Sequence, residues 1–339
     1  EDAAMEQNID FVIPWVDGGD ENWIKEKKLY LPKEGRQTDG SEHRYRDWEN
    51  LRYWFRAVER YAPWVNRIYF VTWGHAPEWL NTSHQKLVLV NHRDYIPKQY
   101  LPTFSSHPIE LNFHRIKGLS EQFVYFNDDM FLTKPVKPED FFVNGLPKDC
   151  CIESAVMQDD YENPFAHILL NSCALVNMNY KKRDVIKKHW KKWFSFSYGL
   201  SAFRNLLMYP YGQFSSFKFF HIPSAFLKSS YQAVWELEPQ ILDAVCRNKF
   251  RSSFDVNQYV IKYYQFVTGT FTPQSPKIGK FFIPGRDKEA EILNAIRRQS
   301  YQMICINDDG REENFEEIKT KVIDSFQAAL PEKSSFERG

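Results

Sequence analysis

Two copies of the tripeptide Asn-Asp-Asp are the residues in this chain best suited to metal chemistry. They are Asn127, Asp128 and Asp129 in the segment FVYFNDDMF, and Asn307, Asp308 and Asp309 in CINDD. Carboxylates bind hard divalent cations, and such a cation commonly neutralises the charge of a departing diphosphate. A single Asp-Asp pair more often caps a helix or faces solvent. Because both triplets follow an apolar strand candidate, the repetition favours a metal site.

A turn rich in Asp and Gly forms a second candidate site, in the segment IDFVIPWVDGGD. Asp17 and Gly18 lie in this turn, where glycine permits the backbone to approach a phosphate or nucleotide closely. The same composition is common in ordinary turns. Arg44 and Arg46 offer forked donors that either clamp phosphates or remain solvated. The local sequence leaves both interpretations open.

Three further side chains have chemistry that suits phosphoryl transfer. His221, in FKFFHIPSAFLKSS, could accept the proton of an attacking hydroxyl, although a lone histidine is more often structural. Arg251, in FRSSFDVNQY, offers a permanent charge for a transferring phosphoryl group or forms a surface ion pair. Lys228 is a similar but less specific candidate.

Alternating strand and helix patterns in the first third predict the elements that hold these residues. Strands are predicted over residues 9–15, 67–72, 87–91, 122–126 and 302–306. Asp47 is the predicted N-cap of a helix that ends before Pro63, Ile109 to Leu119 is predicted to be one helix, and Phe315 to Leu330 is the predicted closing helix. This alternation is typical of a largely parallel sheet, whose ligands bind beyond the carboxyl ends of the strands.

The middle of the chain predicts a peripheral lobe. Residues 181–193, KKRDVIKKHWKKW, are densely basic, and residues 194–220 are rich in aromatic residues, Ser and Gly without a clean period. On a helix such a stretch is most often a solvated face with Trp190 and Trp193 packed inward. The alternative is peripheral contact of this stretch with a membrane, or with an acidic or phosphate-bearing acceptor.

Composition excludes several classes of protein. The 339 residues contain 44 Lys plus Arg and 44 Asp plus Glu, so no overall field attracts nucleic acid. The five cysteines lack CxxC spacing, which argues for a reducing compartment. No apolar run approaches the length of a membrane span. We therefore expect a cytoplasmic protein, with the inner face of the cytoplasmic membrane as the place of any peripheral contact.

Together these segments resemble the Stealth family, which includes bacterial capsular polysaccharide phosphotransferases and the animal N-acetylglucosamine-1-phosphotransferase. IDFVIPWVDGGD resembles the first conserved region, and the run from RYRDWENLRYWF to FVYFNDDMFL resembles the long second region. HIPSAFLKS with FRSSFDVNQY resembles the third region, and CINDD resembles the fourth. The order of the blocks is the same, and they occupy much of the chain.

The resemblance implies transfer of a hexose-1-phosphate, with N-acetylhexosamine-1-phosphate expected, from a UDP-sugar to a glycan hydroxyl. A phosphodiester would form and UMP would leave, with Mg²⁺ or Mn²⁺ as cofactor. The implied metal residues are Asp128, Asp129, Asn307 and Asp308, with Asp309 beside them. The implied catalytic residues are His221, Arg251 and Asp129. The positions assigned to the donor are Asp17, Gly18, Asp47, Asn50, Asn127 and Lys228.

Pattern and analogy together predict an α/β, Rossmann-like and glycosyltransferase-A-like fold, with a largely parallel sheet flanked by helices and an inserted, mainly helical lobe. Residues 8–150 would bind the nucleotide-sugar, residues 151–250 would form the lobe on the acceptor side, and residues 251–332 would return to the core.

Two departures from the family pattern refine the expectation. The first region reads PWVDGGD where animal members tend to carry TWVNG, so Asp17 stands in an Asn-like place. The chain also lacks the large inserted modules of the animal enzyme, which favours a bacterial capsule or surface-glycan role. Two alternatives are a metal-dependent glycosyltransferase that releases UDP, and a non-catalytic glycan-binding module that uses the many Trp and Tyr side chains.

Overall fold

The computed structural model describes residues 8–31, 47–157, 164–310, 312 and 314–339. Arg44 and Arg46 lie outside the described residues. The strands are β1 (Ile9–Pro14), β2 (Ile68–Thr72), β3 (Leu87–Asn91), β4 (Gln122–Tyr125), β5 (Met130–Leu132), β6 (Phe142–Val143), β7 (Leu146–Asp149), β8 (Ser224–Leu227), β9 (Thr272–Pro273), β10 (Gly279–Phe282) and β11 (Met303–Ile306). The helices are α1 (Glu21–Tyr30), α2 (Leu51–Tyr61), α3 (His92–Tyr95), α4 (Ser106–Leu111), α5 (Phe165–Asn179), α6 (Lys182–Trp193), α7 (Ala202–Met208), α8 (Lys228–Leu237), α9 (Pro239–Arg247), α10 (Gln258–Thr268), α11 (Glu289–Arg297) and α12 (Phe315–Ala329).

The central sheet has five strands in the order β3-β2-β1-β4-β8. Strands β1 to β4 are mutually parallel, and β8 is antiparallel to β4. Two three-stranded sheets accompany it, in the orders β10-β11-β5 and β6-β7-β9. The predicted α/β fold with a largely parallel sheet is therefore confirmed, and all five predicted strands are present.

Successive side chains of the buried strands point to opposite faces of the sheet, so the sheet divides the interior into two cores. In β1, Phe11 and Ile13 pack in one core with α2, α11 and α12, whereas Val12 packs in the other. In β4, Val124 belongs to the first core and Phe123 to the second, beside α8 and α9. Helices on both faces are the arrangement that a parallel sheet requires.

Between β7 and β8 the chain forms the helical lobe, with α5, α6, a 3₁₀ helix at Phe196–Ser201 and α7. Its core contains Trp193 and Phe217, which pack with Tyr263 and Phe266 of α10. The mainly helical character of this segment is as predicted. Within the range predicted for the lobe, β8 belongs to the central sheet, and α8 and α9 pack against that sheet. The domain limits at residues 150 and 250 stay a prediction.

Three local predictions are wrong. Asp47 is not the N-cap of α2: that residue is Asn50, while Asp47 Oδ1 accepts from the Glu49 amide at 2.7 Å. The helix predicted over residues 109–119 ends as α4 at Leu111, because Asn112 turns its side chain back to the Pro108 carbonyl at 2.7 Å. Trp190 does not pack inward. Its side chain is 57% exposed, since a kink at His189 interrupts α6 just before it.

None of the helices within the described ranges is both long and apolar enough to cross a lipid bilayer.

Candidate functional site

Strands β1 and β4 lie side by side, and the chain leaves both of them at the same edge of the central sheet. Val12 is paired with Tyr125, and the Phe126 amide donates to the Val12 carbonyl at 2.9 Å. The strand order reverses here, because β2 and β3 lie on one side of β1 and β4 lies on the other. Such a reversal opens a crevice that binds ligands in open α/β sheets. Asp17 and the triplet that begins at Asn127 both follow their strands at this edge.

The smaller sheet joins the two Asn-Asp-Asp triplets. Strand β5 starts directly after the first triplet and pairs antiparallel with β11, which directly precedes the second. The Ile306 amide donates to the Asp129 carbonyl at 2.9 Å, and Asn307 Nδ2 donates to Asp129 Oδ2 at 3.0 Å. Residues 178 positions apart in the chain are therefore in contact. The pairing of β5 with β11 therefore brings the two triplets together.

The two acidic residues of the second triplet have different partners. Asp308 Oδ1 accepts from the Gly310 amide at 2.8 Å. Asp309 forms an ion pair with Arg286, with 2.9 Å between Asp309 Oδ2 and Arg286 Nε. The charge of Asp309 is therefore balanced by the guanidinium of Arg286.

His221 reaches the same edge from the opposite direction, because β8 runs antiparallel to β4. Its Nε2 lies 3.1 Å from Asn127 Nδ2 and 3.9 Å from Asp129 Oδ2. Its Nδ1 lies 3.1 Å from the Tyr259 hydroxyl. Since an amide nitrogen only donates, Nε2 accepts and the imidazole proton lies on Nδ1. The lone pair of His221 therefore faces the triplets.

Burial lowers the pKa of His221 below its ordinary value. The charges of Asp129 and Glu110 oppose this effect, while the nearby cations Lys262 and Arg251 add to it. The imidazole is therefore neutral near pH 7 and able to accept a proton.

Asp128 lies in an environment that weakens its acidity. The residue is accessible to water, yet desolvation by the surrounding protein raises its pKa to about 7. The charges of Asp129 and Asp47 raise it further. Three carboxylates within electrostatic range of one another favour the binding of a cation.

The donor atoms where the triplets meet fit a hard divalent cation. Among the residues that the structure describes, Asp129 Oδ1 is buried without a hydrogen-bond partner, which is rare for a carboxylate oxygen unless it binds a ligand. The set of oxygen donors matches the preference of Mg²⁺ and Mn²⁺. Asp128, Asp129, Asn307 and Asp308 are the residues of the two triplets that would supply such donors.

Cys305 and His221 lie near the same carboxylate, with ligand atoms of Asp129, His221 and Cys305 within 4.8 Å of one another. Burial raises the pKa of the Cys305 thiol well above its usual range, and the charge of Asp129 raises it further. The thiol is therefore protonated while no cation is bound. The carboxylate oxygens beside it are ligands that a hard cation prefers.

Arg251 is held by helix α4 and by an anchored turn. Its Nη2 donates to the Ser106 hydroxyl at 3.0 Å. In the same turn, Asp255 contacts His107 Nδ1 at 2.8 Å and accepts from Asn248 Nδ2 at 2.7 Å. The side chains of His107 and Asp255 are 2% and 0% exposed, so this anchor is buried away from solvent. The charge of Arg251 contributes to lowering the pKa of His221, so the guanidinium lies within electrostatic range of the imidazole.

Asp17, Asp47 and Trp15 line a cleft of about 580 Å³ at the same edge of the sheet. The Asp17 amide donates to His75 Nε2 at 2.8 Å, and Asp17 Oδ1 accepts from the Gly19 amide at 2.8 Å, which closes a turn around Gly18. The charge of Asp47 raises the pKa of Asp128, so this cleft lies within electrostatic range of the first triplet. Asn50 is buried at the N-cap of α2, where its side chain makes no capping bond.

Lys228 does not join the other candidates. The antiparallel direction of β8 carries the chain away from the crevice, so Leu227 is paired with Gln122 at the start of β4. Lys228 Nζ donates to the Leu119 carbonyl at 3.3 Å. At about 3.3 Å per strand residue, Lys228 lies roughly 17–20 Å from Asn127 along the strand.

Sequence reasoning missed the residues that support His221. The Tyr125 hydroxyl lies 3.1 Å from Glu110 Oε1 and also bonds Asn127 Oδ1, so a chain of polar groups runs from a buried carboxylate to the imidazole. Tyr259 could have been found, because it closes the segment FRSSFDVNQY. Nothing in the sequence marked Glu110 as a site residue, because it lies in a short helix among apolar residues.

Three family models match the chain. They are Stealth protein conserved region 1 over residues 7–35, conserved region 2 over residues 44–149 and conserved region 4 over residues 294–339. Conserved regions 2 and 4 contain the two triplets, and conserved region 1 contains the turn at Asp17.

Curated bacterial proteins are similar over nearly the full length. A capsular polysaccharide phosphotransferase WcwK of Streptococcus pneumoniae is 42% identical over 98% of this chain and 99% of its own. An exopolysaccharide phosphotransferase cps2G of Lactiplantibacillus plantarum is 38% identical over 98% and 96% of the two chains. A receptor polysaccharide phosphotransferase WefC of Streptococcus gordonii is 38% identical over 98% and 100%.

Among solved structures, the chain is similar to a galactosyltransferase LgtC in complex with donor and acceptor sugar analogues. The TM-score is 0.40 at 9% identity, over 93% of this chain and 95% of that one.

Proposed function

The chain belongs to the Stealth family of polysaccharide phosphotransferases, and from this premise we propose that it transfers a hexose-1-phosphate from a UDP-sugar to a glycan hydroxyl and releases UMP. Its relatives carry the names of capsular, exopolysaccharide and receptor polysaccharide phosphotransferases, which supports an enzyme that transfers a phosphate-linked sugar in polysaccharide synthesis. N-acetylhexosamine-1-phosphate is the group that we propose is transferred.

The observation that carries this proposal is the meeting of Asp129, Asn307 and His221 at one edge of the sheet. Asp129 contacts the other two side chains, at 3.0 Å and 3.9 Å. Oxygen donors for a cation and an imidazole lone pair thus face a single space. Phosphoryl transfer needs little more from a protein than such positioning and charge neutralisation.

In the proposed reaction, the acceptor hydroxyl attacks the phosphorus that carries the sugar. A bond forms between the acceptor oxygen and this phosphorus, and the bond from the phosphorus to the oxygen that bridges the diphosphate breaks. His221 Nε2 takes the hydroxyl proton, and the bridging oxygen leaves with UMP. Mg²⁺ or Mn²⁺, when bound by Asp128, Asp129, Asn307 and Asp308, neutralises charge on the diphosphate.

The remaining residues of the site are assigned to binding and support. The Arg251 guanidinium stabilises charge on the transferring phosphoryl group. The cleft beside Asp17, Gly18, Asp47 and Asn50 is proposed to receive the nucleotide, with the Trp15 ring among its lining residues. We place the reaction on the cytoplasmic side of the membrane.

Identification of the released nucleotide tests this proposal. The protein is incubated with a panel of UDP-sugars, candidate glycans and Mg²⁺, the nucleotide is identified by chromatography, and the glycan is examined by phosphorus NMR. UMP together with a phosphodiester signal supports the proposal. UDP would mean that the sugar alone is transferred, as in a conventional glycosyltransferase. Glycan binding that survives EDTA without any nucleotide release would indicate a binding module.

A further inference from the structure

Helix α7 and the 3₁₀ helix before it carry large apolar side chains that point into solvent. Phe196 and Leu200 are 101% and 91% exposed, and Phe203 and Leu207 are 65% and 68% exposed. Phe203, Leu206 and Leu207 stand at helical spacings of three and four, so they share one face of α7. This apolar surface consists of Phe196, Leu200, Phe203, Leu206 and Leu207.

The face of α7 that contacts the protein is polar instead. Asn205 is fully buried, and its side-chain oxygen accepts from the Glu153 amide at 2.6 Å. Its amide nitrogen donates to the carbonyls of Cys151 at 2.8 Å and Trp193 at 2.6 Å. The usual pattern of a surface helix is therefore reversed, with the polar residue inside and the apolar residues outside. The hydrogen bonds of Asn205 hold α7 in the orientation in which the apolar surface faces outward.

Helix α6 lies directly beside this surface and is basic on its exposed side. Lys182 Nζ donates to the Met208 carbonyl at the end of α7 at 2.6 Å, and Trp193 at the other end of α6 bonds Asn205. In the stretch 181–193, Asp184 is the single acidic residue. The exposed cations are Lys181, Arg183, Lys187, Lys188 and Lys191.

We propose that the apolar surface inserts into an anionic lipid bilayer while the cations of α6 contact the lipid headgroups. Apolar side chains flanked by exposed Lys and Arg are the features of helices that lie in the membrane interface. Exposed Tyr209 and Tyr211 follow α7, and tyrosine is enriched at the same depth. Trp190, 57% exposed on α6, is a third ring of this kind.

A second copy of the chain fits this surface less well. A symmetric contact through α7 would bring the cations of one α6 towards those of its partner, because α6 adjoins the apolar surface. Repulsion between like charges then opposes the contact, whereas an anionic bilayer complements them. This inference is independent of the reaction proposed above.

Cosedimentation of the full chain with vesicles tests the proposal. Phosphatidylglycerol-containing vesicles should bind the protein at ~0.05 M NaCl, pure phosphatidylcholine vesicles should bind it more weakly, and ~0.5 M NaCl should weaken binding to the anionic vesicles. The variant Phe196→Ser/Phe203→Ser/Leu207→Ser should lose at least about tenfold in vesicle affinity. Leu29→Ser is the matched control, since Leu29 is 81% exposed on α1, outside this surface.

The charge variant Lys187→Glu/Lys188→Glu/Lys191→Glu should bind anionic vesicles weakly and without the salt dependence. UMP release with a soluble acceptor should be the same in the triple Ser variant and in Leu29→Ser, so vesicle binding and the proposed reaction are tested separately. Absence of binding to anionic vesicles at low salt would overturn the proposal. A stable dimer in sedimentation equilibrium that the triple Ser variant dissociates would overturn it as well, by assigning the surface to a second copy.

Discussion

Asn127 connects the hydrogen-bond network of Glu110 and Tyr125 to His221, the proposed proton acceptor. Its side-chain oxygen bonds the Tyr125 hydroxyl, which fixes the amide so that its nitrogen donates to His221 Nε2. A hydroxyl group that enters with the substrate can replace this weak donor at the same lone pair. Tyr259 on Nδ1 keeps the ring oriented during the exchange. In the proposed reaction, the first residue of the triplet acts through the histidine, and the second and third act through the cation.

Replacement of His221 by alanine is the first prediction at this scale. Loss of the proton acceptor should lower kcat for UMP release by roughly 10²–10⁴-fold, the usual contribution of a general base. Steady-state kinetics with a saturating UDP-sugar measures this loss. His167→Ala is the control, because His167 is exposed on α5. Turnover near that of the wild type in His221→Ala would remove the assigned role.

Replacement of the metal carboxylates is the second prediction. EDTA should abolish UMP release, and added Mg²⁺ should restore it. Asp129→Asn and Asp308→Asn should each raise the Mg²⁺ concentration for half-maximal activity by at least about tenfold, since even residues that only support a ligand commonly have this effect. Asp309→Asn should change it less, because Asp309 is paired with Arg286. Equal effects of all three substitutions would contradict the assignment.

At the scale of elements, the short helix α4 connects three parts of the site. Ser106 holds Arg251, His107 holds Asp255, and Glu110 holds Tyr125. Consecutive turns of one helix thus set the position of the guanidinium relative to the imidazole network. A shift of α4 would move both at once.

Asp255→Ala tests the anchor beneath Arg251. Asp255 is fully buried, and its removal leaves His107 and Asn248 without their partner, so we expect a loss of about 3–5 kcal/mol in the free energy of unfolding. Urea denaturation measures the loss. Asp243→Ala is the matched control on α9, where the ion pair with Arg247 is on the surface, and it should cost much less. Equal midpoints for the two variants would show that the buried anchor contributes nothing.

The sequence predicted the elements that have a strong local pattern. The β-rich runs before the two triplets became β4 and β11, and the closing amphipathic pattern became α12. Direction could not be predicted, because pairing decides it: β8 turned out to be antiparallel to β4, which removed Lys228 from the site. Glu110 and Asn205 could not be predicted either. Their roles depend on hydrogen bonds to residues that are distant in the chain, which no spacing rule records.

At the scale of the whole molecule, a buried ion pair joins α2 to residues near the end of the chain. Arg56 Nε and Nη2 donate to the two carboxylate oxygens of Glu337 at 2.7 Å and 2.9 Å, and the two side chains are 6% and 3% exposed. Arg56 Nη1 also donates to the Leu330 carbonyl at 2.9 Å. The segment that follows the second triplet is thereby fastened to α2.

This ion pair predicts a pH dependence of stability. Burial raises the pKa of Glu337, but hydrogen bonds from Arg56 and the Ser334 amide, together with the charge of Arg56, outweigh it and lower the pKa below 4.5. The stabilisation is therefore complete above that value and is lost as the pH falls through the lower folded-state pKa. Glu337→Gln should be less stable than the wild type at pH 7 by about 3–5 kcal/mol.

Urea midpoints of the wild type and of Glu337→Gln, measured from pH 7 down to about pH 3, provide the comparison. The gap between them should narrow only below about pH 4.5. A constant gap over this range would contradict the predicted titration.

The antiparallel pairing of β11 with β5 also restricts how this protein can evolve. Side chains alternate across a strand, so a register slip of a single residue would turn Asn307 away from Asp129. Insertions and deletions can accumulate in the loops and the lobe between them without changing the pairing that brings the two triplets together. At either junction of strand and triplet, even one added codon would separate the two halves of the centre.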